Sequence, residues 1–357
     1  MTKLIQERIR AVPADLIRTI AIIGVITLHA ANEAIVPQVM NQTEIYRWWT
    51  VNIYQTLGRT GVPLFVMLTG TLLLQPSKIE SLNVFFKKRW NRIGIPFLFW
   101  GAIYFAWDYY ANHLALTTSF VFQGILSGPY FQFWYLYMIV GLYLLTPILR
   151  IVAAQIDRQT FKYFFVVWFF TAFITPIPGL IGTFYIDSNL LTLPLWVGYF
   201  MFGAFLVNVT MQRRTLIFLT TLGLVLSVIG TYIIAATIGG SHTYYFQDYF
   251  SPTMILASAA LFLLLNTIKA STNQTETSQS KINWLLKQIS QSTLAIFLFH
   301  VIVIETLQRG YLWGFTISGN NLNSILEVPL MTVVTLFICL GVILPLRKVP
   351  IIKKLIG

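Results

Sequence analysis

Apolar segments long enough to cross a lipid bilayer recur from one end of this chain to the other. A membrane-spanning helix needs roughly 20 mostly apolar residues. The chain has 357 residues, of which 56% are hydrophobic and only 10% are charged, whereas soluble globular chains carry about 25% charged residues. A soluble fold could not solvate such a surface. We therefore predict one all-α helical bundle in a membrane, a single domain covering residues 1–357.

We expect about ten transmembrane helices in this bundle. Aromatic residues cluster near many of the segment ends, as in Tyr46-Arg47-Trp48-Trp49, which is typical of the membrane–water interface. A stretch rich in Ser, Thr, Asn and Gln at about 270–283 predicts a flexible polar loop on the cytoplasmic side. The expected spans are 15–34, 52–75, 93–112, 131–149, 163–182, 191–209, 215–238, 251–268, 292–312 and 325–346.

The distribution of basic residues predicts how the bundle is oriented in the membrane. With the amino terminus in the cytoplasm, the inner segments hold all 24 Lys and Arg residues except Arg47, Arg59 and Arg309. Loops rich in Lys and Arg stay on the cytoplasmic side, so both termini are predicted to be cytoplasmic. The formal net charge of +12 is therefore interpreted as positively charged inner loops, and no nucleic-acid partner is expected. We expect a multi-pass protein of the plasma membrane, surrounded by membrane lipids.

Metal and disulfide chemistry are not expected. Cys339 is the only cysteine, so no disulfide can form within the chain and no cysteine-rich metal site is possible. The four histidines are scattered and lack clustered carboxylates, and their spacing matches no known metal-binding pattern. We predict a protein without a metal ion.

The first span carries an unusual polar stripe. Arg18 and His29 are eleven residues apart, about 1100° of helical turn, so they share one face and stand about 16 Å apart along the axis. Asp15 can pair with Arg18, and Glu33 can reach His29. A structural alternative is an interfacial Asp15–Arg18 pair and a hydrogen-bonded histidine. The shared face and the flanking carboxylates favour function, because imidazole is a natural general base for a hydroxyl group.

A basic cluster precedes the third span. It contains Lys88, Arg89 and Arg92, and Ile95-Pro96-Phe97 follows. Alone, such a cluster indicates a positive cytoplasmic loop. If the helix extends back through it, Arg89 and Arg92 lie on one face at positions i and i+3. Two guanidinium groups there are suited to holding phosphate groups from the cytoplasm.

Two further ionisable residues lie within expected spans. Arg59 is in the second span and requires a partner, either Glu33 or a ligand group. His300 lies near the middle of the ninth span, where it is either a packed, hydrogen-bonded histidine or a site residue. His113 and His242 fall at expected outer interfaces and are interpreted as solvated.

Six stretches of the chain resemble the membrane-bound acyltransferase 3 family, in the family's order. The arginine, ten residues, histidine signature is matched by Arg18 and His29, and the arginine-x-x-arginine element by Arg89 and Arg92. Thr69 stands where serine is usual in the family's second-helix segment. The remaining matches are similar to other family patterns. The stretches are 15–29, 61–70, 89–92, 133–150, 198–203 and 296–300.

The resemblance, which covers residues 11 to 345, implies a membrane O-acyltransferase. The donor would be acyl-CoA, usually acetyl-CoA, from the cytoplasm, and the acceptor a hydroxyl group on a surface polysaccharide or its lipid-linked precursor. His29 would be the general base or a transient acyl carrier, organised by Arg18 and Asp15. The basic cluster Lys88, Arg89 and Arg92 would hold the CoA phosphates. Secondary candidates for the acceptor side are Arg59, Glu33 and His300.

A transporter or flippase for a lipid-linked glycan or a small molecule is the competing hypothesis. Ten helices with a polar interior fit that function as well. Transporters often contain inverted repeats and helices broken at mid-membrane. The chain shows no such repeat, and Pro63, Pro147 and Pro194 do not occupy corresponding positions in two halves. A phosphate-binding arginine pair combined with a histidine base favours acyl transfer.

Overall fold

The computed structural model describes residues 12–31, 42–75, 80–174, 195–239, 243–268, 277–317 and 323–357. These residues are helical almost throughout, and the described ranges contain no β-strand, only an isolated bridge between Leu312 and Phe315. A π-helical segment, Trp90–Gly94, and two 3₁₀ turns, Phe131–Phe133 and Tyr245–Gln247, interrupt the α-helices. In chain order the α-helices are α1 Ala14–Ala31, α2 Gln42–Arg59, α3 Gly61–Leu73, α4 Leu82–Arg89, α5 Ile95–Tyr110, α6 Thr118–Ser127, α7 Trp134–Gln155, α8 Arg158–Ile174, α9 Leu195–Leu206, α10 Arg213–Thr237, α11 Pro252–Asn266, α12 Thr277–Gln308, α13 Ser324–Leu346 and α14 Pro350–Ile356.

The predicted all-α, multi-pass membrane architecture is confirmed. Within the described ranges, seven helical stretches are long and apolar enough to cross a membrane. The expected spans at 93–112, 163–182 and 191–209 correspond to the shorter helices α5, α8 and α9, of 16, 17 and 12 residues. The count of ten and the cytoplasmic position of both termini stay predictions. The seven stretches are Ala14–Ala31, Ile45–Leu73, Thr118–Gln155, Arg213–Thr237, Tyr245–Asn266, Lys281–Gln308 and Ile325–Leu346.

Two expected boundaries differ from the structure. The second span is built from two helices, because α2 ends at Arg59 and α3 begins at Gly61, on either side of Thr60. The expected loop at 270–283 is shorter, since α12 already begins at Thr277. Residues 270–276 lie outside the described ranges.

Helix α1 lies at the centre of the bundle and packs against α2, α3, α12 and α13. Its apolar side chains Ile17, Ala21, Ile22 and Val25 are at most 1% exposed. Helices α7, α8 and α10 lie further out and expose large apolar side chains on their outer faces, as a lipid-facing surface requires. Arg18 and His29 of the polar stripe are therefore partly buried among neighbouring helices, whereas Asp15 in the first turn is exposed.

Side-chain caps define where several helices begin. The hydroxyl group of Thr117 accepts a hydrogen bond from the backbone N–H of Phe120 before α6. Ser251 does the same for Met254 before α11, where Pro252 occupies the first helical position. These side chains satisfy backbone donors that have no partner within the helix, which matters most where water is scarce.

Helices α3 and α9 touch through their backbones at two glycines. A Cβ atom at Gly70 would lie 1.8 Å from the carbonyl oxygen of Phe200, and one at Gly203 would lie 1.9 Å from that of Met67. No side chain fits at either position. Small residues of this kind allow close helix packing inside membranes.

We predict that Gly203→Ala destabilises the protein by about 1–3 kcal/mol, because the two helices must separate to admit the methyl group. Gly141→Ala in α7 is the matched control, since a methyl group at that position would have no atom within 4 Å. That change should be neutral or stabilise by up to about 1 kcal/mol through helix propensity. Thermal unfolding in detergent, followed by tryptophan fluorescence, measures both. Equal midpoints for the two variants would contradict the close contact.

Candidate functional site

Three of the guanidinium groups singled out in the sequence line one cavity of about 450 Å³. Arg18 comes from α1, Arg89 from the end of α4, and Arg92 from the π-helical segment. The rest of the lining is mostly apolar and aromatic, including Phe65, Tyr135, Tyr143 and Phe297. Both the volume, within about 300–1,000 Å³, and this lining are typical of small-molecule pockets. The cluster of positive charge suits an anionic ligand.

The local backbone explains why Arg89 and Arg92 share this cavity. Helix α4, the segment Trp90–Gly94 and α5 follow one another without leaving helical geometry. The expected extension of the helix back through the basic cluster is therefore present, with a π turn inserted at Arg92. Such π turns are rare and often found at functional sites.

Aromatic rings hold the guanidinium of Arg89. Its Cζ atom lies 5.0 Å from the ring centre of Phe85 and 5.2 Å from that of Tyr143, within the range of cation–π attraction. Its Nε atom is buried and has no hydrogen-bond partner among the described residues. Arg89 is thus positioned by apolar contacts while a hydrogen-bond donor stays available.

Lys88 points elsewhere. Its ammonium group donates a hydrogen bond of 2.7 Å to Glu80 Oε2, and Arg150 Nη2 lies 3.9 Å from Glu80 Oε1. The hydrogen bond from Lys88, together with the nearby charges of Arg89 and Arg150, lowers the pKa of the Glu80 carboxyl group. Lys88 is not among the residues that line the cavity. The structure separates Lys88 from the two arginines with which the sequence grouped it.

A hydroxyl group bridges Asp15 and Arg18. Ser290 of α12 donates a hydrogen bond of 2.6 Å to Asp15 Oδ1 and accepts one of 3.3 Å from Arg18 Nη1. The direct Arg18–Asp15 ion pair is longer, at 3.8 Å. Ser290 therefore ties the charged end of α1 to α12, and Arg18 is held at the cavity wall.

His29 and His300 lie side by side in the interior, with ring centres 5.1 Å apart. His300 is fully buried, and its Nδ1 atom lies 2.7 Å from the carbonyl oxygen of Phe297. His300 Nε2 and His29 Nδ1 are both buried without a hydrogen-bond partner among the described residues. The sequence left His300 open between packing and function, and the structure brings it to His29.

Three of the aromatic rings that line the cavity are neighbours, and one of them lies beside the histidine pair. Phe65 and Tyr135 have ring centres 6.3 Å apart, and Tyr135 and Phe297 are 4.9 Å apart. The lining of the cavity along α12 ends at Phe297, one helical turn before His300. We call Phe65, Tyr135 and Phe297 the aromatic neck. Phe297 lines the cavity and its ring centre lies 5.8 Å from that of His300, so the aromatic neck adjoins the histidine pair.

A polar cluster around Glu305 is linked to His29 through Phe131. Glu305 accepts hydrogen bonds from Trp107 Nε1 at 2.8 Å and from the Tyr130 hydroxyl, and it pairs with Arg309 at 3.1 Å. The next residue after Tyr130 is Phe131, whose ring centre lies 5.1 Å from that of His29. Phe131 is 53% exposed. This cluster fixes an exposed aromatic ring against the histidine.

Arg59 is stacked on an aromatic ring. Its Cζ atom lies 5.3 Å from the ring centre of Tyr249, and its buried Nε has no hydrogen-bond partner among the described residues. The segment that carries Tyr249 is anchored by Gln247, which donates a hydrogen bond of 2.7 Å to Asn52 Oδ1 in α2. Glu33, the expected partner of Arg59 and of His29, lies outside the described residues.

Several residues of the candidate site had no distinct signal in the sequence. Ser290 is one serine among several in a polar stretch, and only the packing of α12 on α1 reveals it. Phe131, Tyr135 and Phe297 are indistinguishable from lipid-facing aromatic residues by composition. Tyr135 and Phe297 do fall within stretches already matched to the family, and that was the only available hint.

One of three comparisons with known proteins found a match. A family model described as an acyltransferase domain matches residues 14–344. No curated protein and no solved structure matches the chain. In the described ranges, no group of three or more His, Cys, Asp or Glu side chains is arranged to hold a metal ion.

We predict that Ser290→Ala destabilises the bundle by about 1 kcal/mol, because two hydrogen bonds to partly exposed charged groups are lost. Ser290→Thr retains the hydroxyl group and should stay closer to wild type. Thr237→Ala is the control, since that exposed hydroxyl bonds only the carbonyl of Ile233 in its own helix. Thermal unfolding in detergent compares the three. A Ser290→Ala midpoint no lower than that of Thr237→Ala would contradict the bridging role.

Proposed function

The chain belongs to the acyltransferase 3 family of membrane proteins, and we propose that it moves an acetyl group from acetyl-CoA to a sugar hydroxyl group. The donor enters from the cytoplasm, and the acceptor is a cell-surface glycan or its lipid-linked precursor. The observation that carries the proposal is the cavity lined by Arg18, Arg89 and Arg92, which ends at the aromatic neck one turn below the interior His29–His300 pair.

The donor end follows from charge. CoA carries several phosphate groups, and guanidinium groups bind phosphate oxygens through paired hydrogen bonds. Arg89 and Arg92 are the groups for these phosphates. The thioester end of the pantetheine arm then reaches through the aromatic neck toward His29. Lys88, which is engaged by Glu80, takes a lesser part in this proposal than the sequence suggested.

The chemical step needs a base at His29. An unprotonated imidazole nitrogen takes the proton of the acceptor hydroxyl as its oxygen attacks the thioester carbonyl carbon. The carbon–sulfur bond then breaks, and the thiolate leaving group takes the proton back from the imidazolium. The products are the O-acetyl ester and CoA. A positioned base contributes about 10²–10⁴-fold to such a step, and holding donor and acceptor together contributes at least as much.

The acceptor end lies beyond His29 in this proposal. Phe131 offers an exposed ring against which a sugar can pack, and Arg59 offers a guanidinium whose Nε has no hydrogen-bond partner among the described residues. His300 and Glu33 complete the acceptor-side candidates. Arg18, with Asp15 and Ser290, organises the cavity end of the site in this proposal.

The donor-side prediction concerns phosphate binding. Arg89→Gln or Arg92→Gln should weaken CoA binding about 10–100-fold, because a charge-assisted hydrogen bond contributes about 1.5–3 kcal/mol. Equilibrium binding of radiolabelled CoA to protein in nanodiscs measures the change. Lys87→Gln is the matched control, because Lys87 is exposed in the same basic cluster and does not line the cavity.

Dephospho-CoA sharpens this measurement. If an arginine holds the 3′-phosphate, removing that phosphate weakens binding to wild type and has little further effect on the arginine variant. Equal CoA affinity in wild type, Arg89→Gln and Arg92→Gln would refute the donor site.

The catalytic prediction concerns His29. His29→Ala should lower acetyl transfer about 10²–10⁴-fold, because the base is lost. The assay follows radiolabelled acetyl-CoA in nanodiscs supplied with a panel of lipid-linked oligosaccharides and polysaccharides. Slow acetyl-CoA hydrolysis serves as a readout that needs no acceptor.

The matched control for a lost histidine is His113→Asn. His113 has a left-handed backbone, with φ of 55°, which asparagine tolerates. Wild-type transfer in His113→Asn and loss in His29→Ala support the assignment. Transfer by correctly folded His29→Ala at the wild-type rate would overturn it.

A further inference from the structure

We infer that His300 is a positioning residue that fixes where His29 carries its hydrogen, and so selects the nitrogen of His29 that acts as the base. The inference deepens the proposed function, because it rests on His29 being the general base. It starts from two buried ring nitrogens in adjacent histidines, His300 Nε2 and His29 Nδ1, that both lack a partner among the described residues.

The backbone determines the hydrogen on His300. Its Nδ1 atom lies 2.7 Å from the carbonyl oxygen of Phe297. A carbonyl oxygen can only accept a hydrogen bond, so Nδ1 must be the donor and carries the hydrogen. In the uncharged ring, Nε2 is then left with a lone pair and no hydrogen. His300 therefore presents an acceptor, and only an acceptor, in a fully buried position.

The uncharged form is the one that this site favours. A second N–H on His300 would be a buried donor on a charged ring, and no described carboxylate pairs with that ring. Burying such a charge without a partner is strongly unfavourable. His300 Nε2 consequently keeps its lone pair, and no described residue donates a hydrogen bond to it.

His29 supplies that donor. The two ring centres are 5.1 Å apart and the ring planes meet at 44°, a separation at which nitrogens on the facing edges of two imidazole rings can come within hydrogen-bond distance. If Nδ1 carries the hydrogen, both unsatisfied nitrogens are satisfied by one hydrogen bond. The hydrogen of neutral His29 is then fixed on Nδ1, and Nε2 keeps the lone pair.

This arrangement gives His300 a defined role in the reaction. His29 Nε2 takes the proton of the acceptor hydroxyl group, and the hydrogen on Nδ1 stays bonded to His300 throughout. The same logic applies in hydrolases where a buried carboxylate orients a catalytic histidine and selects its tautomer. Here a neutral imidazole provides the acceptor, so the orienting group adds no charge inside the membrane. His300 itself touches no reacting atom.

Nitrogen-15 NMR of histidine-labelled protein in nanodiscs tests the inference directly. The chain has four histidines, and comparison with His29→Gln and His300→Gln assigns the two relevant rings. At neutral pH we expect both rings to be uncharged with the hydrogen on Nδ1. A hydrogen on Nε2 of His29 in the wild-type protein would overturn the inference.

Two substitutions at His300 separate positioning from packing. His300→Phe keeps an aromatic ring but has no acceptor, so His29 should move toward the Nε2–H form. The turnover number should then fall about 10–100-fold, as expected when part of a base's contribution is lost, while CoA binding is unchanged. His300→Gln retains an acceptor oxygen and should restore the His29 tautomer and part of the turnover. An unchanged tautomer and turnover in folded His300→Phe would refute the role.

The result also separates this inference from the proposed function. A hydrogen on His29 Nδ1 that depends on His300, in a protein whose acetyl transfer is unaffected by His29→Ala, would support the histidine pair and sink the catalytic proposal. Loss of transfer in His29→Ala with an unchanged tautomer in His300→Phe would support the catalytic role of His29 and refute the positioning role of His300.

Discussion

A charged or polar side chain inside a bilayer has to face protein or trapped water, because the hydrocarbon layer offers it no partner. In this protein the central helix α1 meets that constraint. It is surrounded by α2, α3, α12 and α13, so Arg18 and His29 both face the interior of the bundle. The α12 helix contributes Ser290 beside Arg18 and His300 beside His29.

The site has two ends with different chemistry, and the aromatic neck lies between them. On one side, three guanidinium groups line a cavity suited to an anion. On the other, a histidine pair in the interior meets an exposed ring at Phe131. In the proposed reaction the acyl arm of the donor passes between the three side chains of the aromatic neck.

The sequence grouped most of the residues that line the cavity, but it predicted helix and loop boundaries less well. Arg18 and His29 were placed on one face because helical spacing is regular, and Arg89 and Arg92 were grouped for the same reason. Lys88 was grouped with them but lies outside the cavity lining, because neighbours in sequence point in different directions on a helix and Glu80 draws it away. The predicted loop at 270–283 was too long, since polar composition does not prevent a helix from beginning at Thr277.

Hydropathy and charge patterns by themselves determined the all-α, multi-pass membrane class and an expected orientation, because the bilayer imposes the length and polarity of each span. The local motifs also indicated which residues are candidates for the chemistry. Only the tertiary structure decided which of them meet. His29 and His300 are 271 positions apart in the sequence, and their contact depends on how α12 packs on α1. The bridge through Ser290, the aromatic neck and the adjacent histidine rings arise from the same packing, which no local pattern encodes.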